Sequence, residues 1–323
     1  MQLHDQIAAL VRGEPLPRGE AMADALAPWR AGRAGRVLAD LDRMNAGAEA
    51  ADCPDLMALF APGGETGRGF VVDLISAIAG GFAAQPLSRL PLGNTATPGL
   101  GVLFFGRIGG AVLAISVFDG AHWRGDAPGH ITAFQPTTID EVVIAGTGCG
   151  TLVSIVGEDG PGAVTLARRA VTLTPGTVIT RDNRREELVL HRFAGQMVTL
   201  RLQRTSPGDG LVRDIDLDTG RVVHLSSADP GESRRQLMIA LLGHMGRTTS
   251  APVLAGLAGR VSASPGLRWQ ALRECLGLDT AAGFAALCAM AGDAADPLAG
   301  AAGALRAQLV EDHPVLEAIV CPA

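Results

Sequence analysis

The most constraining feature of this 323-residue sequence is the texture of residues 91–227. Val, Ile, Leu, Thr and Phe come there in short runs, separated by Gly, Pro and Asp at spacings of about 8–12 residues. Val102–Phe105 and Ala111–Phe118 flank an Arg-Ile-Gly-Gly turn and read as a hairpin. His130–Phe134, Glu141–Ile144, Thr151–Val156, Ala163–Leu166, Ala170–Leu173, Glu187–His191 and Met197–Gln203 follow as candidate strands. Val212–Leu217 and Arg221–Leu225 close the series around Asp218-Thr219-Gly220, a hairpin turn signal. A parallel sheet needs helical crossovers between its strands, and no helical stretch lies between these runs. The pattern predicts an antiparallel barrel or sandwich.

The flanks read differently. Residues 1–90 carry helical spacings at Ile7, Leu10 and Val11, at Val37, Leu38, Leu41 and Met44, and a short patch at Leu56–Phe60. Phe70–Phe82 reads as a buried helix with Val71, Leu74, Ile75 and Ile78 on one face. Residues 228–323 repeat one device, a cap residue, often with Pro, before an apolar face. Asp229-Pro230, Ser250-Ala251-Pro252, Ser264-Pro265, Asp279 and Asp296-Pro297 open the expected helices. The first of these is expected to bury Leu237, Leu241, Leu242 and Met245. A pair of helices in roughly 30 residues cannot bury its own apolar face and must stack on its neighbours. The expected domains are 1–90, 91–227 and 228–323.

Composition narrows the roles. The formal net charge is −6, which disfavours a general nucleic-acid binder that must displace counterions with a basic stripe. Met1–Leu10 lacks the basic region and apolar run of a signal peptide. The longest apolar stretch, Phe70–Ala84, is broken by Asp73 and a Gly pair, so no membrane span and a cytoplasmic location are expected. The five cysteines are widely spaced and include no CxxC pair, which argues against a disulfide framework or a zinc site. Cys275 and Cys288 are expected to be small core residues. Gly146–Gly150 is Gly-rich but lacks the GK[ST] ending of a phosphate loop, and Cys149 within it has no sequence signal for a partnered His.

Two resemblances follow from the residues. Leu267–Leu276, with Leu278-Asp279 and the helix after it, resembles HEAT-type helical repeats. Leu173-Thr174-Pro175-Gly176, Val198–Leu202 and Asp216–Gly220 resemble cupins, within them the cysteine-dioxygenase-like branch. That likeness implies an α+β protein, a cupin-like antiparallel β-barrel or jelly roll flanked by an N-terminal helical segment and a C-terminal HEAT-like domain. The metal motifs depart from the family's. His130 stands alone in the first motif, with Glu141 in the acid's place. Ile179 stands where the second motif has a His, and Arg201 where the dioxygenase branch has one. An arginine stays protonated and has no lone pair for a metal.

Alternation puts Thr199, Arg201 and Gln203 on one strand face and Val198, Leu200 and Leu202 on the other. The polar face meets either solvent or a polar cavity; in a cavity, Arg201 offers a planar fork for a carboxylate. Val189 and His191 share a face of their own strand. Asp140 and Glu141 are neighbours on a strand and point apart. His122-Trp123 sits in a loop, and Arg181–Glu187 reads as a solvated charged turn. The leading expectation is a non-classical cupin without metal or cofactor. It binds a small molecule or peptide through Arg201, Thr199, Gln203 and His191, and its C-terminal helices serve a protein partner or a homodimer. The alternative is an iron-dependent oxygenase or lyase built on His130, Glu141 and His191. Whether a reaction is catalysed stays open at this point.

Overall fold

A computed structural model describes residues 7–8, 11–12, 20–105, 110–123, 131–160, 162–205 and 210–319. The chain forms two compact units, Met1–Leu225 and Ser226–Ala323.

The first unit opens with helices α1 (Glu20–Ala31), α2 (Arg33–Asn45), α3 (Pro54–Met57) and α4 (Glu65–Ala84). The expected helix at Ile7, Leu10 and Val11 lies largely outside the described residues. α1 has no counterpart among the sequence expectations, because Pro28 inside it reads as a breaker. Met22, Leu26 and Trp29, spaced four and three apart, are all buried and hold it against its neighbours. Asn45, the last residue of α2, donates from Nδ2 to the carbonyl of Ala111 at 3.2 Å and accepts from its N–H at 2.7 Å. α4 is long and apolar enough to cross a membrane by length and composition. In the unit it packs through Phe70, Val71 and Leu74, while Ile75, expected on the same face, is 53% exposed.

Among the described residues ten strands follow: β1 (Gly93–Thr97), β2 (Leu100–Phe105), β3 (Ala111–Asp119), β4 (Ile131–Phe134), β5 (Thr137–Glu158), β6 (Val164–Leu173), β7 (Val178–Asp182), β8 (Glu186–Thr205), β9 (Leu211–Asp216) and β10 (Val222–Ser227). They lie in two sheets, one ordered β1-β2-β3-β8-β5-β6 with β7 also paired to β5, the other β10-β9-β4. The pairing is antiparallel, as expected. No closed barrel forms among the described residues, which corrects that part of the expectation. Within the larger sheet β5 and β8 are each a single long strand, of 22 and 20 residues, where the sequence suggests two short ones.

Gly146 marks the bend of β5. Its φ is +79°, and a Cβ there would stand 2.1 Å from the carbonyl oxygen of Gln196. The β5–β8 register shifts on both sides of Ala145, so the Gly-rich segment is a bulged strand. Past this bulge β5 exchanges one edge partner for another, β7 at Thr138–Val142 for β6 at Gly148–Glu158.

The helices cover one face of the larger sheet. Leu113, Val142, Leu200 and Leu202 pack there with Met22, Leu26, Val37 and Phe70. Trp29, Phe70 and Phe105 form an aromatic cluster in that layer, with ring centroids 5.3–5.9 Å apart. The apolar side of β8 is therefore buried under helices, and its polar side turns toward the space between the strands.

The second unit holds α5 (Pro230–His244), α6 (Ala251–Ala258), α7 (Pro265–Leu278), α8 (Thr280–Gly292) and α9 (Ala299–Asp312). Asp229, Ser264 and Asp279 cap α5, α7 and α8 by accepting from backbone N–H groups, as their spacing predicts. The expected inner face of α5 is wrong. Leu237, Leu241 and Met245 are more than half exposed, and Ile239 is the buried residue. Asp296 does not cap α9, which starts at Ala299. It pairs instead with Arg268. Cys288 is disulfide-bonded, not a plain core thiol, while Cys53, Cys149 and Cys275 are free.

Candidate functional site

The space enclosed by the larger sheet is a cavity of about 340 Å³, at the small end of ligand pockets. Alternate residues of β2 and β3 form one wall, among them Leu100, Val102, Val112, Ala114, Ser116 and Phe118. Leu188 and Leu190 of β8 continue the apolar lining. Phe118, Trp123 and Phe193 stack on one another with centroids 5.0–5.4 Å apart, and Trp123 lines the cavity. The opposite side is polar and consists of Glu141, Arg181, Glu187, Arg201 and Gln203.

Register explains how these groups meet. Glu141 on β5 is paired with Ile179 on β7 and with Arg201 on β8, so the three residues form one row across three strands. Glu141 is buried and accepts from Arg181 Nη1 at 3.0 Å and from the Thr199 hydroxyl at 3.0 Å. Arg181, 3% exposed, also lies 4.0 Å from a Glu187 oxygen. Asn183 Nδ2 donates to Glu187 at 2.5 Å. Asp140, next along β5, faces away from this group and takes Arg204 at 2.6 Å and Thr180 at 2.7 Å.

Arg201 is held differently from Arg181 and Arg204. Its Nη2 donates to Gln203 Oε1 at 3.3 Å, while its enclosed Nε, like those of Arg181 and Arg204, has no partner. No ion pair fixes it among the described residues, although Glu141 is its cross-strand neighbour. Burial pulls its pKa down, with Glu141 acting in the opposite direction. Burial pushes the Glu187 carboxyl up, against the nearby Arg181 and Arg201 guanidinium groups.

A second cavity of about 350 Å³ adjoins the first and shares Glu187, Leu188 and Arg201 with it. Ile131, Thr132 and Ala133 of β4, Gln135, Asn183 and Val189 complete its lining. In the C-terminal unit a groove of about 780 Å³ is lined mainly by Trp269, Leu276, Leu305, Leu309, Val315 and Leu316.

Of the residues singled out in the sequence, Arg201 and Gln203 line the cavity and Thr199 bonds the Glu141 carboxylate beside it. His191 is exposed on β8, where its Nε2 lies 2.8 Å from the Thr151 hydroxyl oxygen. His130 lies outside the described residues. His122 is exposed and paired with Asp119 at 2.8 Å. The solvated-turn reading of Arg181–Glu187 is corrected. Asp182 and Arg184 pair near the surface, but Arg181 and Asn183 are buried and Glu187 lines both cavities. A run of charges reads as solvated by default; the period-2 alternation Arg181, Asn183 was the available signal of a shared inward face.

Among the described residues, the expected iron ligands Glu141 and His191 are not brought together. The row Ile179–Glu141–Arg201 offers a side chain with no donor atom, a guanidinium with no lone pair, and a carboxylate engaged by Arg181 and Thr199. His191 faces Thr151 and shares no partner with Glu141. No group of metal-binding side chains is assembled among the described residues.

No family model matches the chain, and no curated protein does. Solved structures similar to part of it are cupin-domain structures. The Drosophila melanogaster CENP-C cupin domain is similar at a TM-score of 0.27 and 14% identity, over 35% of this chain and 74% of that one. Pac13 of Streptomyces, described as a nucleoside dehydratase, is similar at a TM-score of 0.24 and 14% identity, over 39% and 85%. Ectoine synthase from P. lautus is similar at a TM-score of 0.23 and 13% identity, over 35% and 70%. At these TM-scores the likeness assigns no role to any residue of this chain.

Proposed function

We propose that the first unit binds a small organic carboxylate with an apolar body, and that Arg201 holds the carboxylate. The observation that carries this reading is a guanidinium that lines a cavity with no carboxylate bound to it, whereas Arg181 and Arg204 beside it are each paired with one. A charge withdrawn from water without a partner is costly, and a bidentate carboxylate is the group that best offsets that cost. The apolar wall of β2 and β3 and the Phe118–Trp123–Phe193 cluster suit the ligand's body. The reading uses no metal. Isothermal titration of the full chain with hydrocinnamate and other small apolar carboxylates tests it, and binding with one-to-one stoichiometry is expected. Failure of every such carboxylate to bind, or stoichiometric iron in the purified protein lost on His191→Ala, would replace it with the oxygenase alternative or with none.

Glu187 gives this binding a pH dependence. Burial already raises its pKa, with Arg181, Arg201 and Glu141 as the charged groups around it. An anion placed on Arg201 makes ionisation of Glu187 harder still, so binding takes up a proton. Affinity is expected to strengthen as the pH falls toward the raised Glu187 pKa, and Glu187→Gln should flatten the profile. The free protein follows the same sign. A raised carboxyl contributes its stability below the ordinary Glu range and loses it as the pH rises through the folded-state pKa. Glu187→Gln should therefore raise the thermal midpoint at alkaline pH and leave it nearly unchanged in acid, as scanning calorimetry at both ends would show.

A further inference from the structure

The groove of the C-terminal unit is a gap between two helices. α7 and α9 each pack on α8 rather than on one another. Trp269, Arg273 and Leu276 fall at intervals of four and three along α7, and Leu305 and Leu309 at an interval of four along α9, so each helix turns one ridge toward the gap. Val315 and Leu316, in the turn after α9, complete the apolar lining. At about 780 Å³ the groove is more than twice as large as the cavity beside Arg201, and it lies well within the range of ligand pockets.

The polar groups on this lining are few. Thr280 donates its hydroxyl to the Leu276 carbonyl at 3.2 Å, and no carboxylate lines the groove among the described residues. Arg273 and His313 are its basic groups. Arg273 is exposed and takes part in no ion pair among the described residues; the pairs of this unit are Arg235–Asp229 and Arg268–Asp296. A matching occupant therefore brings apolar length and one negative charge. It also brings few hydrogen-bonding groups, because an extended peptide would leave its N–H and C=O groups unanswered on such a lining. An α-helix is about 10–12 Å across with its side chains, so a space of about 780 Å³ takes in only part of one, whereas a single alkyl chain enters whole.

We propose that the groove binds a free fatty acid, with its chain along the ridges of α7 and α9 and its carboxylate at Arg273. The site lies wholly within the second unit and is independent of the reading of Arg201.

The test uses the full chain, with ω-bromododecanoate as a contact quencher of tryptophan fluorescence. Trp29 and Trp123 belong to the first unit and Trp269 to the second, so Trp269→Phe reports which site is filled. Quenching is expected in wild type and in Arg201→Met, and it should be lost in Trp269→Phe. Octanoate, decanoate and dodecanoate should displace the quencher with affinities that rise about fourfold per methylene. Dodecanoate should bind about threefold tighter than dodecanol, the worth of an exposed ion pair, and dodecyltrimethylammonium should bind the most weakly. Arg273→Gln, at an exposed position, should erase the preference for the acid and leave dodecanol unchanged. Quenching that persists in Trp269→Phe and is lost in Arg201→Met would assign the chain to the first unit and overturn the groove site; the Arg201→Met arm stands even if Trp269→Phe does not fold. Equal displacement by the acid, the alcohol and the ammonium would overturn the anionic ligand. A dimer by sedimentation that dodecanoate neither enters nor dissociates would give the groove to a second copy, and a monomer that no chain length quenches would overturn the fatty acid and leave the groove to a protein helix.

Discussion

Arg201→Met is expected to abolish carboxylate binding and at the same time to make the free protein more stable. Truncating one partner of an enclosed, hydrogen-bonded charge pair typically costs about 2–5 kcal/mol of binding, a loss of some thirtyfold or more. The free protein should respond in the opposite direction. Arg201 makes one long hydrogen bond, to Gln203, and its Nε is enclosed and unpartnered. Replacing the guanidinium with a thioether of similar reach removes a desolvated charge, with an expected gain of about 1–3 kcal/mol. Glu141 is not orphaned by the change, because Arg181 and Thr199 still donate to it. Thermal unfolding and titration with hydrocinnamate read the two effects on the same samples. A variant that is less stable than wild type and still binds would mean that Arg201 is a structural cation balancing Glu141.

Asp296→Ala is expected to destabilise the C-terminal unit by about 3–5 kcal/mol, the cost of a buried cation stripped of its partner. Arg268 is 1% exposed in α7. Its Nε donates to the Ala258 carbonyl at 2.8 Å, Nη1 donates to Asp296 Oδ1 at 3.0 Å, and Nη2 donates to the other carboxylate oxygen. The same Oδ1 accepts from the Leu298 N–H at 2.9 Å, so the aspartate ties α7 to the segment leading into α9. The double variant Arg268→Met, Asp296→Leu should recover most of the loss, since well-packed apolar residues replace a buried pair at little net cost. Arg268 also holds the Asp296 carboxyl below the usual Asp range. A lowered pKa contributes stability above the ordinary Asp range and loses it as the pH falls through the folded-state value. Acid should therefore weaken wild-type protein more than the double variant. Denaturant unfolding at neutral and acid pH separates these outcomes, and a single variant as stable as wild type would refute the account.

Much of the local structure was legible from the chain. Asp229, Ser264 and Asp279 cap helices because a short oxygen-bearing side chain before an apolar stretch satisfies N–H groups that the helix leaves free. The runs Val102–Phe105 and Ala111–Phe118 pair as a hairpin in the structure, within β2 and β3. Where the reading failed, a local rule was overridden by packing. Pro28 sits inside α1 because Met22, Leu26 and Trp29 are buried on one face. The glycines of 146–150 read as a break, yet they let β5 bend against β8 without ending it. Leu237, Leu241 and Met245 follow helical spacing, but spacing reports an apolar face and not the element that covers it.

The alternation of Thr199, Arg201 and Gln203 against Leu200 and Leu202 is written in the chain and assigns them to opposite faces of one strand. Which of those faces meets water was decided only in the folded unit. Met22, Leu26 and Phe70, more than 120 residues away, cover Leu200 and Leu202, so the polar face turns inward beside Glu141 and Glu187. The same holds for Arg181 and Asn183, whose charge and polarity suggest solvent until β5 and β8 are placed beside them. A period of two fixes the direction of a side chain relative to its neighbours on the strand. The medium it points into depends on contacts between segments far apart in sequence, and no local pattern encodes those.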